Sequence, residues 1–226
     1  MSHAEPWRAG IRHRGRPDHR RRPVPGRVGP RGGHRIQGPR HQRTDGNLCR
    51  PYGSVWFTEL GQVGSVDHSG HVAHGVTLSG GSSLGDGEAA ISTAPFGVTM
   101  GPDGNMWVAE SGTGALGNGC FSPPALNVDR IARITPYGSA TEFASGITNC
   151  SNPTEIVTGP DKNLWFTEPG ADKIGMITTS GKVTEFPLTT GAKPQGITAG
   201  PVGSGTVWFT EQNSGLVGRI TSGVGH

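Results

Sequence analysis

The chain has few cysteines and no long apolar segment, and both absences limit what it can be. Its 226 residues include three cysteines, which allow at most one internal disulfide bond. No apolar run approaches the roughly 20 residues that a membrane-spanning helix needs, so we expect no transmembrane helix and no membrane partner. Residues 1–8 lack the apolar core of a secretory signal. We therefore expect no export signal in this sequence, and both a cytoplasmic location and export through a different start stay open.

Lysine is absent from the first 50 residues, although arginine is abundant there. Residues 1–50 contain 13 arginines and three acidic residues, whereas residues 51–226 contain seven basic and 14 acidic residues. The basic segment has three interpretations: a disordered arm that neutralises nucleic-acid phosphates, a solvated disordered segment, or a GC-rich gene translated outside its native frame. A block of like charge does not by itself identify a partner, so nucleic acid is the least favoured. The sequence thus divides into an Arg/Gly/Pro-rich segment, 1–50, and a second domain, 51–226.

One four-residue phrase occurs four times in the second domain, with its tryptophans 51, 58 and 43 residues apart. The copies are Trp56-Phe57-Thr58-Glu59, Trp107-Val108-Ala109-Glu110, Trp165-Phe166-Thr167-Glu168 and Trp208-Phe209-Thr210-Glu211. Repetition at about 40 to 50 residues is typical of repeat architectures. We expect the tryptophans to form the core between repeats, because each buries a large apolar area. We expect the glutamates to cap turns or contact a neighbouring repeat rather than to perform chemistry.

Each repeat contains four short runs of β-branched and aromatic residues that turn sequences separate. A Pro-x-Gly-Ile/Val-Thr-x-Gly-Pro motif precedes the phrase at residues 95–102 and 194–201, and a degenerate copy occupies 153–160. A second apolar run and a Gly-x-Val/Ala-Thr-Glu-Phe motif follow the phrase. Four strands in each repeat predict an all-β fold, a β-propeller of four-stranded blades with about four recognisable blades. The first blade lacks its first strand and the fourth lacks its last, so the predicted propeller is incomplete.

Two cysteines lie where connections between predicted strands meet. Cys120 belongs to a predicted loop at residues 111–129, and Cys150 belongs to the linker between two blades. Both connections emerge at the same end of an up-and-down blade, so a Cys120–Cys150 disulfide is geometrically allowed. Two free thiols are the alternative, because the sequence does not determine the Cα separation that a disulfide needs.

The repeated segments resemble the blades of the virginiamycin B lyase (streptogramin B lyase) family. The resemblance covers about residues 51–221 and is carried by Ile197-Thr198-Ala199-Gly200-Pro201, Asn163-Leu164-Trp165-Phe166-Thr167-Glu168 and Lys182-Val183-Thr184-Glu185-Phe186-Pro187. It implies a seven-bladed propeller that opens a cyclic depsipeptide antibiotic at its ester bond by Mg²⁺-assisted elimination. It also implies a general base, a histidine directly after the proline of the Pro-x-Gly motif, with acidic residues nearby to hold the metal.

The residues that the resemblance implies are absent from the blades of this chain. The histidine position is occupied by Phe96, Thr154 and Gln195, which we expect on the channel face. The position before the proline, where the resemblance implies an acid, is occupied by Ala94, Asn152 and Lys193. We therefore predict no catalytic residue, no metal site and no cofactor in this chain, and Mg²⁺ remains an implication of the resemblance alone.

Three functional hypotheses follow from these observations. The first is a lyase-like enzyme whose activity is absent or unproven in this chain. The second is a non-catalytic binding module, which presents its loop face, including residues 111–129, to a small molecule or a protein. The third is a gene fragment without a function of its own. Exposed blade edges also predict poor solubility or self-association.

Overall fold

The computed structural model of the chain describes residues 53–59, 61–78, 92–113 and 129–222, all within the compact unit Gln37–His226. Within these residues the chain consists of β-strands and turns, so the predicted all-β class is confirmed. The described part contains no helix that could cross a lipid bilayer. The predicted arm at 1–50, Cys120 and most of the predicted loop at 111–129 lie outside the described residues, and the predictions for them stay predictions.

The described strands form four antiparallel sheets that follow one another along the chain. Their orders are β1-β2-β3, β4-β5-β6-β7, β8-β9-β10-β11 and β12-β13-β14. The strands are β1 (Val55–Glu59), β2 (Gln62–Val66), β3 (Val72–Thr77), β4 (Ser92–Met100), β5 (Met106–Thr113), β6 (Arg130–Ile134), β7 (Ala140–Phe143), β8 (Ile156–Thr158), β9 (Leu164–Glu168), β10 (Lys173–Ile177), β11 (Val183–Pro187), β12 (Pro194–Ala199), β13 (Thr206–Glu211) and β14 (Leu216–Thr221). Four up-and-down sheets of this size confirm the four predicted blades, and the two outer sheets have three strands each among the described residues.

One strand is longer than its predicted length. We expected the loop of the second blade to begin at residue 111, whereas β5 continues to Thr113. Residues 111–113 pair with residues 92–94 of β4, which also begins before the Pro-x-Gly motif. The additional ladder satisfies backbone groups that would otherwise need other partners, and it explains the difference.

The core of the molecule lies between neighbouring sheets. Alternate residues of a strand point to opposite faces of its sheet, so the first two residues of the phrase lie on different faces. We call the face with the tryptophan the Trp face, and the face with the second residue of the phrase the Phe face. Three apolar clusters pack the Trp face of one sheet on the Phe face of the next. They join Trp56 and Val63 to Val108, Trp107 and Ile131 to Phe166, and Trp165 and Ile174 to Phe209. The predicted tryptophan core between blades is confirmed at these three contacts.

Two four-residue turns hold the tryptophans of the complete sheets in place. Asp161 Oδ1 accepts a hydrogen bond from Trp165 Nε1 at 2.9 Å, and Asp161 Oδ2 accepts one from Asn163 Nδ2 at 2.8 Å. Asp103 makes the same contacts with Trp107 and Asn105. The turn aspartate therefore satisfies an indole N–H that the sheet contact removes from water.

The outer strand of each complete sheet covers the same tryptophan. Phe143 of β7 stacks on Trp107 with ring centroids 5.7 Å apart, and Phe186 of β11 stacks on Trp165 at 5.3 Å. Both phenylalanines come from the repeated Thr-Glu-Phe motif. The motif thus has a structural role, which is to complete the apolar surroundings of the tryptophan.

We predict that Asp161→Ala lowers the free energy of unfolding by about 1–3 kcal/mol, because it leaves the buried indole N–H of Trp165 without an acceptor. Denaturant unfolding followed by tryptophan fluorescence measures the change. The control is Thr135→Ala in the hairpin turn after β6, where the hydroxyl accepts from the backbone N–H of Ser139 at 3.1 Å and, within the described part of the chain, from no tryptophan. Equal losses in the two variants would show that the indole contact contributes nothing.

Candidate functional site

The three positions at which the sequence resemblance implies a histidine lie where the first strands of the sheets converge. The first strands of neighbouring sheets contact each other, β4 with β8 and β8 with β12. Phe96 lies on β4, Gln195 lies on β12, and Thr154 lies two residues before the start of β8. All three residues are half-buried. We call Phe96, Thr154 and Gln195 the inner row.

Hydrogen bonds between sheets fix the backbone of the inner row. Thr58 Oγ1 of the first sheet donates to the carbonyl oxygen of Phe96 at 3.0 Å. Thr167 Oγ1 of the third sheet donates to the carbonyl oxygen of Gln195 at 2.9 Å. These two threonines occupy the same position of the repeated phrase and are buried. Each therefore holds an inner-row residue of the next sheet.

The second sheet uses a different contact, because its phrase contains Ala109 in place of the threonine. There the backbone N–H of Gly97 donates to the carbonyl oxygen of Thr154 at 2.7 Å. A Cβ atom at Gly97 would lie 2.8 Å from that oxygen, so only glycine allows this approach. The sequence did not lead us to predict these hydrogen bonds. The signal that could have indicated them is the threonine at the third position of three of the four phrases.

Two aspartates, one before β6 and one before β10, position the residues that precede the inner row. Asp172 accepts from the backbone N–H of Gly191 at 2.8 Å and of Lys193 at 2.9 Å. Asp129 accepts from the backbone N–H of Gly112 at 2.9 Å and of Asn152 at 3.3 Å. These aspartates were also missed, because nothing in the local sequence shows which distant N–H groups they meet.

The backbone before the inner row has an unusual conformation. Asn152 and Lys193, both directly before a motif proline, have φ of 53° and 51°. Cys150 (62°) and Asp172 (54°) lie at the same end of the sheets. A positive φ costs free energy for a residue with a side chain and is commonly found near functional sites. The aspartate contacts stabilise this conformation.

The structure places Cys150 in a disulfide bond. The two other cysteines of the chain, Cys49 and Cys120, lie outside the described residues. The pairing of Cys150 with Cys120 therefore stays a prediction.

Two glutamates of the repeated phrase are wholly buried next to the inner row. Glu110 pairs in register with Pro95 of β4, and Glu168 occupies the equivalent place in the third sheet. Within the described part of the chain, none of their carboxylate oxygens has a hydrogen-bond partner of normal geometry. Burial, reinforced by the nearby Glu142, raises the pKa of Glu110 to about 8. Burial and the nearby Glu185 likewise raise the pKa of Glu168 to about 8.

In each complete sheet, an ion pair beside the buried glutamate joins the third strand to the fourth. Lys173 Nζ lies 2.5 Å from Glu185 Oε2, and Arg130 pairs with Glu142 in the second sheet. Each cation already contacts the outer-strand carboxylate, so it compensates little of the cost of burying a second charge. The fold therefore favours the protonated, neutral form of Glu110 and Glu168.

The inner row does not fit a magnesium ion. Mg²⁺ requires oxygen ligands in near-octahedral geometry, whereas the positions before the prolines carry Ala94, Asn152 and the cation Lys193. Asp129 and Asp172 already accept backbone N–H groups. The described residues contain no cluster of three or more potential metal-ligating side chains.

Comparisons with known proteins agree with this architecture. The virginiamycin B lyase family matches residues 87–225. The chain belongs to the virginiamycin B lyase family. A virginiamycin B lyase of Nocardia farcinica is 30% identical over 127 residues, which are 56% of this chain and 37% of that protein. The chain thus spans little more than a third of this family member.

Two solved structures are also similar to this chain. A streptogramin B lyase is 29% identical with a TM-score of 0.49, over 78% of this chain and 65% of that one. The hydrazine synthase of Kuenenia stuttgartiensis is 13% identical with a TM-score of 0.57, over 79% and 58% of the two chains. The second likeness, which has the higher TM-score, shows the fold alone.

We predict that the free energy of unfolding falls as the pH rises from about 4.5 to about 8. The folded state holds Glu110 and Glu168 protonated with pKa values of about 8, whereas the unfolded chain releases these protons near the ordinary value of 4.5. Their stabilising effect is complete below 4.5 and lost once the pH passes 8. Glu110→Gln and Glu168→Gln, which stay neutral, reduce this slope in denaturant titrations at several pH values.

The matched control is Glu211→Gln, at the equivalent position of the fourth sheet, where the residue is half-buried. It should leave the slope close to that of the parent chain. Unchanged slopes in Glu110→Gln and Glu168→Gln would mean that the folded chain ionises both carboxyls like the unfolded chain.

Proposed function

We propose that this chain binds a neutral cyclic peptide of the virginiamycin B type at its inner row, and that the described sheets do not open the ring of that ligand. The observation that carries the proposal is the composition of the row. Three equivalent positions lie side by side, partly accessible, and carry a phenyl ring, a hydroxyl and an amide. Such a surface can contact apolar and peptide groups but takes up no proton near neutral pH.

Each member of the row offers a different contact. The ring of Phe96 provides an apolar surface of the kind that anchors ligands in protein pockets. The side-chain amide of Gln195 makes no hydrogen bond within the described part of the chain, so it can donate to and accept from a peptide group. Thr154 Oγ1 donates to the carbonyl oxygen of Asn152 at 2.9 Å. Its oxygen retains lone pairs for a ligand donor.

Ring opening by elimination requires a general base whose pKa lies near the working pH and which reaches the proton. The inner row supplies no such group. Glu110 and Glu168 have suitable pKa values of about 8, but both are wholly buried in the sheets and cannot contact a bound peptide. The absence of an accessible base from the inner row is therefore what supports ligand recognition without catalysis in the described sheets.

We predict that the purified chain binds virginiamycin B without opening it. Isothermal titration calorimetry measures binding with and without Mg²⁺, and the ion should make little difference. Elimination leaves the mass of the antibiotic unchanged, so opening is followed by chromatographic retention and fragment ions. Ring opening that depends on Mg²⁺ would overturn the non-catalytic half of the proposal.

Two variants assign the binding to the inner row. Phe96→Ala should weaken binding at least about tenfold, because it removes a large apolar contact. Gln195→Ala should weaken it a few-fold, the effect of one lost hydrogen bond. The control is Tyr137→Ala, a fully exposed aromatic residue in the turn after β6, at the opposite end of the sheets. No measurable binding by the parent chain, or equal losses in all three variants, would refute the binding site.

A further inference from the structure

The fourth sheet exposes the face that the other sheets bury. On the strand that follows the phrase in each sheet, one equivalent residue points to the Trp face, and these residues are Val63, Ile131, Ile174 and Val217. Val63, Ile131 and Ile174 are at most 1% exposed, whereas Val217 is 65% exposed. Trp208 on the same face is half-buried, and the tryptophans of the other three sheets are buried.

The first sheet exposes the complementary face. Phe57 is half-buried, although the equivalent Val108, Phe166 and Phe209 are at most 4% exposed. Val55, on the same face of β1, is likewise half-buried, while its equivalents Met106, Leu164 and Val207 are buried. The described structure therefore carries one incompletely covered Trp face, on the fourth sheet, and one incompletely covered Phe face, on the first.

We propose that the Trp face of the fourth sheet packs on the Phe face of the first sheet in a second copy of this chain. The three contacts inside the molecule all join a Trp face to a Phe face. Each kind of face is therefore complementary to the other. A repeat unit cannot bury its apolar faces alone and depends on its neighbours. A second copy can cover both faces, because it presents the same two faces.

A polar contact inside the chain supports this arrangement. Arg133 lies over Trp107, with 5.9 Å between Cζ and the ring centroid, and donates to the carbonyl oxygen of Thr179 in the third sheet at 3.1 Å. Arg219 lies over Trp208 in the same way, at 5.8 Å. It is therefore already oriented toward a neighbouring sheet.

The first sheet offers the partner that Arg219 needs. Its hairpin turn after β2 is equivalent to the turn that contains Thr179, and His68 occupies the equivalent position. The carboxylate of Asp67 lies in that turn, where contacts to Ser69 and His71 lower its pKa and keep it ionised. Arg219 of one copy would thus meet the carbonyl of His68 and the charge of Asp67 in the other, a complementary pair.

The contact joins two different faces, so it is heterologous and can be repeated. Two chains that make it twice close a ring of eight sheets, which is within the usual range of about four to eight blades for a propeller. The inference does not depend on the ligand proposed for the inner row.

Light scattering during size-exclusion chromatography and native mass spectrometry test the proposal on the 226-residue chain. The expected particle has twice the mass of the 23.5 kDa chain. Val217→Glu, on the open Trp face, and Phe57→Glu, on the open Phe face, should each raise the dissociation constant at least about a hundredfold, because a charge would be buried without a partner. Val202→Glu is the matched control, since Val202 is fully exposed in a turn, and it should remain dimeric.

Mixing the two variants distinguishes a head-to-tail contact from a symmetric one. Val217→Glu chains retain an intact Phe face and Phe57→Glu chains an intact Trp face, so the mixture should form a heterodimer although each variant alone is monomeric. Circular dichroism confirms that the variants fold, and Val55→Glu replaces Phe57→Glu if the latter does not. A monomeric parent chain, a dimeric Phe57→Glu variant, or open polymers in place of a closed dimer would each overturn the proposal.

Discussion

The contact of one sheet's Trp face with the next sheet's Phe face is the interaction on which the rest of this structure depends. No single sheet is large enough to bury its apolar residues, and each tryptophan is removed from water only when a neighbour covers it. The outer-strand phenylalanines and the turn aspartates serve the same contact, since they complete the surroundings of the indole ring and satisfy its N–H. Stability is therefore distributed along a row of similar contacts.

That row also determines where backbone strain and buried charge are found. The apolar packing brings the first strands together, and the loops that enter them adopt positive φ at Asn152 and Lys193. Asp129 and Asp172 hold these loops by accepting several backbone N–H groups. Glu110 and Glu168 are enclosed by the same packing, and proton uptake removes the cost of burying two charges. The end of the sheets that carries the inner row is thus constrained by hydrogen bonds as well as by apolar packing.

Membership of the virginiamycin B lyase family and the chemistry of this chain depend on different sets of residues. The family match depends on residues that build sheets and turns, whereas the activity that a fold carries depends on a few side chains at a site. Where the first strands converge, this chain carries Phe96, Thr154 and Gln195. A fold can persist while the groups at such positions change, because the threonine bridges hold the backbone and not the side chain of the inner row.

The sequence by itself determined the all-β class, the four sheets and the tryptophan core. Each repeat contains the same strand and turn signals, so every copy supports the interpretation of the others. The sequence also predicted the inner-row positions, since their place in the motif is local, and their role stays a prediction. Only the tertiary structure decided what those positions contact. The threonine bridges, the aspartate contacts and the protonation of Glu110 and Glu168 depend on distances between residues far apart in the chain and on exclusion of water by neighbouring sheets. The uncovered faces of the first and fourth sheets belong to the same category, because burial is a property of the assembled sheets and not of any one residue.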